Sequence, residues 1–499
     1  MRVVKILLII FLIGIPLAIF LRFNSKQSAL RSLDRQRIAD LEAFSKAMDS
    51  YFKNKDHYPV LDEGGCLEDY KKELTQTLVP FYLDFVPQDP AGNSYCYFYQ
   101  TKNQGELYKL AAYLQIEKAK ARSDNGNLSH YYEVFNTKKT EQITNYLNYR
   151  VMSWGNNEFN QLGFENEKYK KVPVLIEKLH NITAIAAGGS NGLALTAQGE
   201  VYLWGKDQTN IILVKDLKKI KAIAVGGSHF LALSEDGKVY SWGKNDRGQL
   251  GDSTKTDRNE PVEIKNIFEI ESIAAGSDFS LALSADGSIY VWGNNSRGQL
   301  GDGVPAPERV SPVKVIEIRN AKKIAAGHGH ALALTEDGKI YSWGYNQYGQ
   351  LGDGGDQDKN KPLEIKGLDN IEDIAAGNFH SLALGKNDLI YSWGYNEYGE
   401  LGDGSAINRN KPVVISGLIG IESIVAGGEH SLAKTFSGEV YSWGYNYFGQ
   451  LGDLTTTNRR VPVKVLKEKF LNFLIKEPLD NVISISAGED FSLVIREEK

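Results

Sequence analysis

Cysteine is almost absent from this chain: 499 residues hold two, Cys66 and Cys96. No Cys-x-x-Cys pair, glycine-rich phosphate loop or Gly-x-Ser-x-Gly elbow occurs, which argues against an enzyme. Basic runs are missing too. Lysines and arginines are scattered, and the net charge is −5, so no global attraction for nucleic acid exists and no nucleic-acid partner is expected. Long hydrophobic runs are also scarce. The one instance, residues 6–21, carries no charge.

What the sequence does have is repetition. Variants of Val-Tyr-Ser-Trp-Gly recur around all seven tryptophans, Trp154, Trp204, Trp242, Trp292, Trp343, Trp393 and Trp443. Their spacings are 50, 38, 50, 51, 50 and 50 residues. An Ile-Ala-Ala-Gly motif keeps step, with glycines at 188, 226, 276, 327, 377, 427 and 488. A period near 50 built from short strands and turns marks a propeller or solenoid. In one unit, Ile374–Gly377, His380–Leu384 and Ile390–Trp393 read as three strands, with a turn at Asn387-Asp388 before the third. Sister units write that turn as Asp-Gly (236–237, 286–287, 337–338), a strong hairpin signal because glycine supplies the positive φ. A loop such as Gly-Gln-Leu-Gly-Asp follows Trp-Gly in every unit but that of Trp204, and a Pro-Val run then reads as an outer strand.

The ends of the array are complementary. It starts on a tryptophan strand, Arg150 to Gly155, with no Ala-Gly strand pair before it, and finishes on such a pair, Ser484 to Ile495. The two halves make one module if the array closes on itself, which removes two sheet edges. An all-β seven-bladed propeller is therefore expected over 150–499. The unit "AGxxHSLALTxDGxxYSWGxNxxGQLGDG" resembles the regulator of chromosome condensation repeat over the same range. That resemblance implies the propeller fold. It also implies a choice among nucleotide exchange on Ran-type GTPases, chromatin contact and protein inhibition of β-lactamase, among which the fold does not select.

Before the repeats, residues 3–21 are just long enough to cross a bilayer as a helix, so 1–22 is read as a transmembrane anchor. The rival is a cleaved signal peptide, but no small-x-small site follows. Arg2 and Lys5 precede the run, whereas Arg22, Lys26, Arg31, Arg35 and Arg37 follow it; this pattern taken alone keeps the bulk of the chain cytoplasmic. Leu30, Leu33, Ile38, Leu41, Phe44, Met48 and Tyr51 recur at helical spacing. Cys66 and Cys96 suit a disulfide in an oxidising compartment, the alternative being two separate buried thiols. The apolar helix running into "RIADLEAFSKAMDSYF", the Tyr58-Pro59 exit, the Asp89-Pro90 turn and the later tyrosine-rich strands resemble a type IV pilin or pseudopilin. This resemblance implies a small α+β domain over 23–137, outward-facing and bacterial. The pilin leader glycine before Phe-Thr-Leu-Ile-Glu is absent, which favours a fixed anchor over a polymerising subunit. Residues 138–149 read as a linker.

Comparing the seven units separates what a blade needs from what one site needs. The slot three after the motif glycine holds Asn191, His229, Phe279, His330, His380, His430 and Phe491. Phenylalanine alternates with histidine there, so the slot is read as packing and no metal or catalytic site is expected. Asp252, Asp302, Asp353, Asp403 and Asp453 are read as pinning their own loops to Arg258, Arg309, Lys359, Arg409 and Arg459. No cofactor is expected. Variation between units is where function is sought. After Trp-Gly, three units carry Tyr345 and Tyr348, then Tyr395 and Tyr398, then Tyr445, Tyr447 and Phe448. The two before them carry Lys244 and Arg247, then Arg297. Tyrosine and arginine dominate interface hot spots, so this aromatic arc with a basic neighbour is the candidate surface for a protein or other surface macromolecule. The Trp204 unit lacks its Gly-Gln-Leu-Gly loop, which predicts a notch. Lys467 to Ile475 reads as a short helix. The expected function is a membrane-anchored, outward-facing, non-catalytic binding protein. The alternatives are an exchange factor for a small GTPase and an inhibitor of a secreted enzyme.

Overall fold

The computed structural model describes residues 149–497, except 166, 207, 209 and 468–476, together with the backbone of four strands before residue 149. The chain divides between Tyr146 and Leu147. In the first unit, Gly65–Cys66, Phe98–Lys102, Leu107–Tyr113 and Tyr131–Phe135 pair in chain order as one antiparallel sheet. The proposed span at 3–21, the amphipathic helix, the Cys66–Cys96 bridge and the linker fall outside the described residues. Among the described residues no helix is long and apolar enough to cross a membrane.

The second unit is a ring of seven four-stranded sheets, here called blades 1 to 7 after the order of their tryptophans. Blade 6 shows the plan: Ile371–Ala376 innermost, then His380–Gly385, Ile390–Gly394 and Arg409–Ile415 outermost, all antiparallel. The second strand is buried along its whole length because both of its faces are covered by neighbouring blades, which is why it reads as a continuous apolar run rather than an alternation. The turn to the third strand places Gly237, Gly287 and Gly338 at φ near +80° in blades 3 to 5, and Asp388 holds the same region at φ 63° in blade 6.

Blade 1 is assembled from both ends of the array. Val482–Ala487 and Phe491–Glu497 lie inside Tyr149–Asn156 and Tyr169–His180, with Phe491 opposite Gly155 and Glu497 opposite Tyr149. The ring is closed as the terminal half-modules required. Seven apolar clusters fill the seven interfaces, and each contains one tryptophan. At the axis, glycine is obligatory for reasons of space. A Cβ on Gly226 would stand 2.3 Å from the ring of His229 and 2.5 Å from the carbonyl of Gly276 in the next blade. The small-residue bore that results encloses about 180 Å³.

A recurrent clasp joins neighbouring blades. Gln249 of blade 3 offers its main-chain carbonyl, which accepts from Trp292 Nε1 at 2.9 Å and from Ser280 Oγ at 2.9 Å, both in blade 4. The same pair of donors meets Gln350, Glu400 and Gln450. The serine oxygen, its proton committed to that carbonyl, accepts from the buried histidine of the preceding blade: His229 to Ser280, His330 to Ser381, His380 to Ser431 and His430 to Ser492, at 2.8 to 2.9 Å. The proton therefore sits on Nε2. Nδ1 of His229, His330 and His430 is left bare and unpartnered. Burial drives these imidazoles down, His229 and His380 to about 4, His330 and His430 to about 3. The histidine slot is structural, as the phenylalanines in it indicated.

The outer strand of blade 2 is cut to Ile212–Leu213, and the expected notch is present beside it. Of the proposed helix, Lys467 instead pairs in a two-residue ribbon with Glu477, and the remainder falls outside the described residues.

Unfolded histidines take up protons below about pH 6.5 whereas these four stay neutral, so folding stability falls as pH drops from about 6.5 toward 4. Combining His380→Phe with Ser431→Ala copies the Phe279 and Ala331 pairing between blades 4 and 5. The double variant is expected to lose about 2 kcal/mol less stability than the parent between pH 7 and pH 5, and so to show a shallower fall in melting temperature. Circular-dichroism melts across that range check it, and an unchanged pH slope counts against the assignment.

Candidate protein-binding face

In every blade the loop after the first strand and the loop after the third emerge on the same face of the ring. The third-strand loop is shaped from within. Asn396 Oδ1 accepts from Leu401 N at 2.9 Å, its Nδ2 donates to Asp403 at 3.2 Å, and Glu400 accepts from Tyr398 N at 3.0 Å. Asp403 also receives Arg409 Nε at 2.9 Å. Equivalent pairs, Arg258 with Asp252, Arg309 with Asp302, Lys359 with Asp353 and Arg459 with Asp453, hold the sister loops. These carboxylates are occupied in loop closure, and the cation in blade 1, Lys170, pairs with Glu167 instead. Asp353 and Asp358 are likewise engaged, by Gly355 N and Asn346 N. Among the described residues no cluster of ligand side chains could hold a metal ion.

With asparagine, glutamine and aspartate turned inward, the residue after Trp-Gly and the one three further on are left at the surface. In blades 5 to 7 these are the predicted aromatics, and the structure brings them into one ribbon. Ring centroids are 6.1 Å apart for Tyr345–Tyr348, 5.0 Å for Tyr348–Tyr395, 6.2 Å for Tyr395–Tyr398 and 4.9 Å for Tyr398–Tyr445. Tyr447 and Phe448 extend it, with Tyr447 6.4 Å from Tyr445 and 5.1 Å from Phe448. Tyr447 is 66 % exposed, while the others are half-buried against one another. Phe379, which sequence reasoning missed, stands 5.3 Å from Tyr348 and 5.9 Å from Tyr345. It comes from the first-strand loop, at the position before the histidine slot, where sister blades carry small or acidic residues.

The basic neighbour is less basic than the sequence indicated. Lys244 pairs with Asp246, and Arg297 pairs with Asp358 while its guanidinium lies 5.0 Å over the Tyr345 ring. Arg247 is exposed at the corresponding loop position of blade 3. The inner edge of the ribbon is acidic instead. Burial, reinforced by Glu489 and Glu429, pushes Asp490 up to about 7, and burial followed by Glu489 and Glu397 raises Glu429. Burial also raises the phenols of Tyr345, Tyr395, Tyr398 and Tyr445. The ribbon is thus aromatic, with Arg297 over one end, and its inner edge carries carboxylates that form no ion pair among the described residues.

A family model described as the RCC1-like domain matches residues 208–494, more than half of the chain, and the RCC1 repeat matches 150–195 and 182–210. The chain belongs to the RCC1-like family. It is 32 % identical over 234 residues to the ultraviolet-B receptor UVR8 of Arabidopsis thaliana, covering 43 % of this chain and 53 % of the receptor. It is 36 % identical over 225 residues to the human E3 ubiquitin-protein ligase HERC2, covering 41 % of this chain and 5 % of the ligase. The chain thus spans about half of the first relative and a small part of the second. The structure of Kap60 bound to yeast RCC1 (Prp20) superposes with a TM-score of 0.63 at 25 % identity, covering 72 % of this chain and 92 % of that one. Prp20p of Saccharomyces cerevisiae, in a structure reported with its binding to Gsp1p and histones, gives 0.61 at 25 % identity, covering 73 % and 96 %.

One residue of this RCC1-like face departs from its own repeat. Five blades place glutamine where blade 6 has Glu400, fully buried, with Oε1 unpartnered and its carboxyl pushed up to about 8 by burial. The folded chain keeps that proton while the unfolded chain loses it near pH 4.5, so the stability it contributes fades as pH rises toward 8. Glu400→Gln is expected to raise the melting temperature at pH 8 by about 2 °C or more and to change it less at pH 5, as scanning calorimetry at both pH values reads.

Proposed function

We infer that this protein is a non-catalytic binding protein whose propeller holds another protein on the face bearing the aromatic ribbon. The observation that carries this reading is the unbroken contact of Tyr345, Tyr348, Tyr395, Tyr398, Tyr445, Tyr447 and Phe448 across three blades. Tyrosines already packed on one another lose little side-chain freedom on binding, and the hydroxyls of Tyr345 and Tyr395, which donate to Gln347 and Glu397, can still accept. The carboxylates at the inner edge favour a partner that brings a cationic group there. The N-terminal reading completes the proposal: residues 3–21 anchor the chain in a membrane, a pilin-like domain follows, and the propeller is displayed outward with Cys66 and Cys96 bridged. No nucleic acid or cofactor enters it.

A second reading, a regulator of a small GTPase, is supported by the likeness to Prp20p, which is reported with Gsp1p and histones. It predicts faster nucleotide release from a GTPase when the propeller is added.

Two measurements test the leading reading. Tyr395→Ala and Tyr445→Ala in the full chain are expected to weaken capture of the partner about tenfold each, as for interface anchors. Partner binding unchanged by both removes the ribbon from the interface. Labelling of intact cells with a membrane-impermeant reagent is expected to modify the propeller; an unlabelled propeller overturns the outward orientation.

A further inference from the structure

At the boundary between blades 4 and 5 the chain sets one of its own arginines on the ribbon. The Arg297 guanidinium lies 5.0 Å over the Tyr345 ring and pairs with Asp358 at 3.4 Å. The boundary between blades 6 and 7 has a similar arrangement without the cation. Tyr398 and Tyr445 meet there at 4.9 Å, with their planes tilted by 47°. Glu429 stands near both rings: after burial it raises the Tyr398 phenol, and together with Asp490 it raises that of Tyr445. Glu429 and Asp490 are partly exposed and Glu489 is exposed, so this edge opens to solvent. Glu429 also lacks a donor that its counterpart has. In blade 7, Gln450 takes Phe448 N on Oε1 and donates from Nε2 to Asp490 Oδ1 at 3.3 Å. In blade 6, Glu400 takes Tyr398 N on Oε2, so its Oε1 holds the place of that amide and faces Glu429, the residue equivalent to Asp490. That oxygen is buried and unpartnered.

We propose that an arginine side chain of the partner protein lodges at this edge, its guanidinium beside the Tyr398 and Tyr445 rings and its N–H groups on Glu429 and Asp490. This rests on the reading of the ribbon as a protein-binding face, and it names what the partner brings to that face. The arginine reaches Glu429 from the solvent side. Glu400 has no accessible surface and takes no part in the contact. Arginine fits better than lysine: a guanidinium packs on aromatic rings, offers five donors in one plane and sheds water more readily than an ammonium. Arg297, Tyr345 and Asp358 form the same combination within the chain. Like charges crowded without a cation raise one another, as Glu489 does, after burial, to both Glu429 and Asp490. An incoming guanidinium relieves that repulsion and makes charge-assisted hydrogen bonds in the same step.

The test uses the full chain with ring-¹³C tyrosine, the Tyr398 and Tyr445 signals being assigned by single Tyr→Phe variants. The probes are capped tripeptides, Ala-Arg-Ala, Ala-Lys-Ala and Ala-citrulline-Ala, the last keeping the shape of arginine without its charge. The arginine peptide is expected to move the Tyr398 and Tyr445 signals to saturation and to bind about tenfold more tightly than the citrulline peptide. Glu429→Gln is expected to weaken that binding about tenfold while keeping or raising the melting temperature, since one of several like charges has gone. Equal binding of the lysine peptide overturns the choice of arginine. Equal binding of the citrulline peptide, binding unchanged in Glu429→Gln, or no movement of the two signals at millimolar peptide each overturn the site. Partner capture that falls in Tyr395→Ala but not in Glu429→Gln leaves the ribbon in the interface and removes the arginine from it.

Discussion

One backbone oxygen in each of six blades, that of Gln249 and its equivalents, carries the association of this ring. At four interfaces it accepts an indole proton and a hydroxyl proton from the next blade, and at two more the indole proton alone, so these sheets are fixed to their neighbours by directional bonds inside an apolar interface. Apolar packing alone is tolerant of sliding; two donors converging on one acceptor are not. The loop that supplies the oxygen is the same loop whose outer positions form the surface. Stability and recognition therefore share a segment, and the inward asparagine, glutamine and aspartate leave the outward positions free to vary.

That division explains how the face is organised. In blades 5 to 7 the free positions are aromatic, and the blades' angular spacing brings their rings to within 4.9 to 6.4 Å of one another. The first-strand loops meet them from the axis side and bring Phe379, Glu429, Glu489 and Asp490 to the ribbon's inner edge. Blade 6 is where the two demands collide, since Glu400 keeps the carbonyl that Trp443 and Ser431 need but buries an acid where its sisters bury an amide.

Much of this was legible because the chain contains seven versions of itself. Tryptophan spacing gave the blades, the complementary ends gave the closure, and the exchange of phenylalanine for histidine pointed to packing in that slot. The aromatic arc was readable because Tyr345 and Tyr348 occupy loop positions that vary widely while Gly349 and Gln350 change only to Asn160 and Glu400. Other features were not read although a signal existed. Each slot histidine is matched in the next unit by a serine, His229 by Ser280 and His380 by Ser431, while Phe279 is matched by Ala331 and Phe491 by Gly192. The acidic edge escaped because Glu429 and Asp490 are adjacent only once the ring is formed. The basic arc was overstated because Asp246 and Asp358, which offset Lys244 and Arg297, were not weighed with them.

The strand that closes the ring also sets how the propeller bears load. Tyr149–Asn156 runs toward the loop face and is clamped between Phe491–Glu497 and Tyr169–His180. The polypeptide thus enters blade 1 on the side opposite the ribbon. A pull on that entry point along the strand axis stresses its hydrogen bonds to both neighbours together in shear rather than peeling them one at a time. Burying the entry strand between two neighbours makes the seam, formed from the two ends of the array, a mechanically resistant joint.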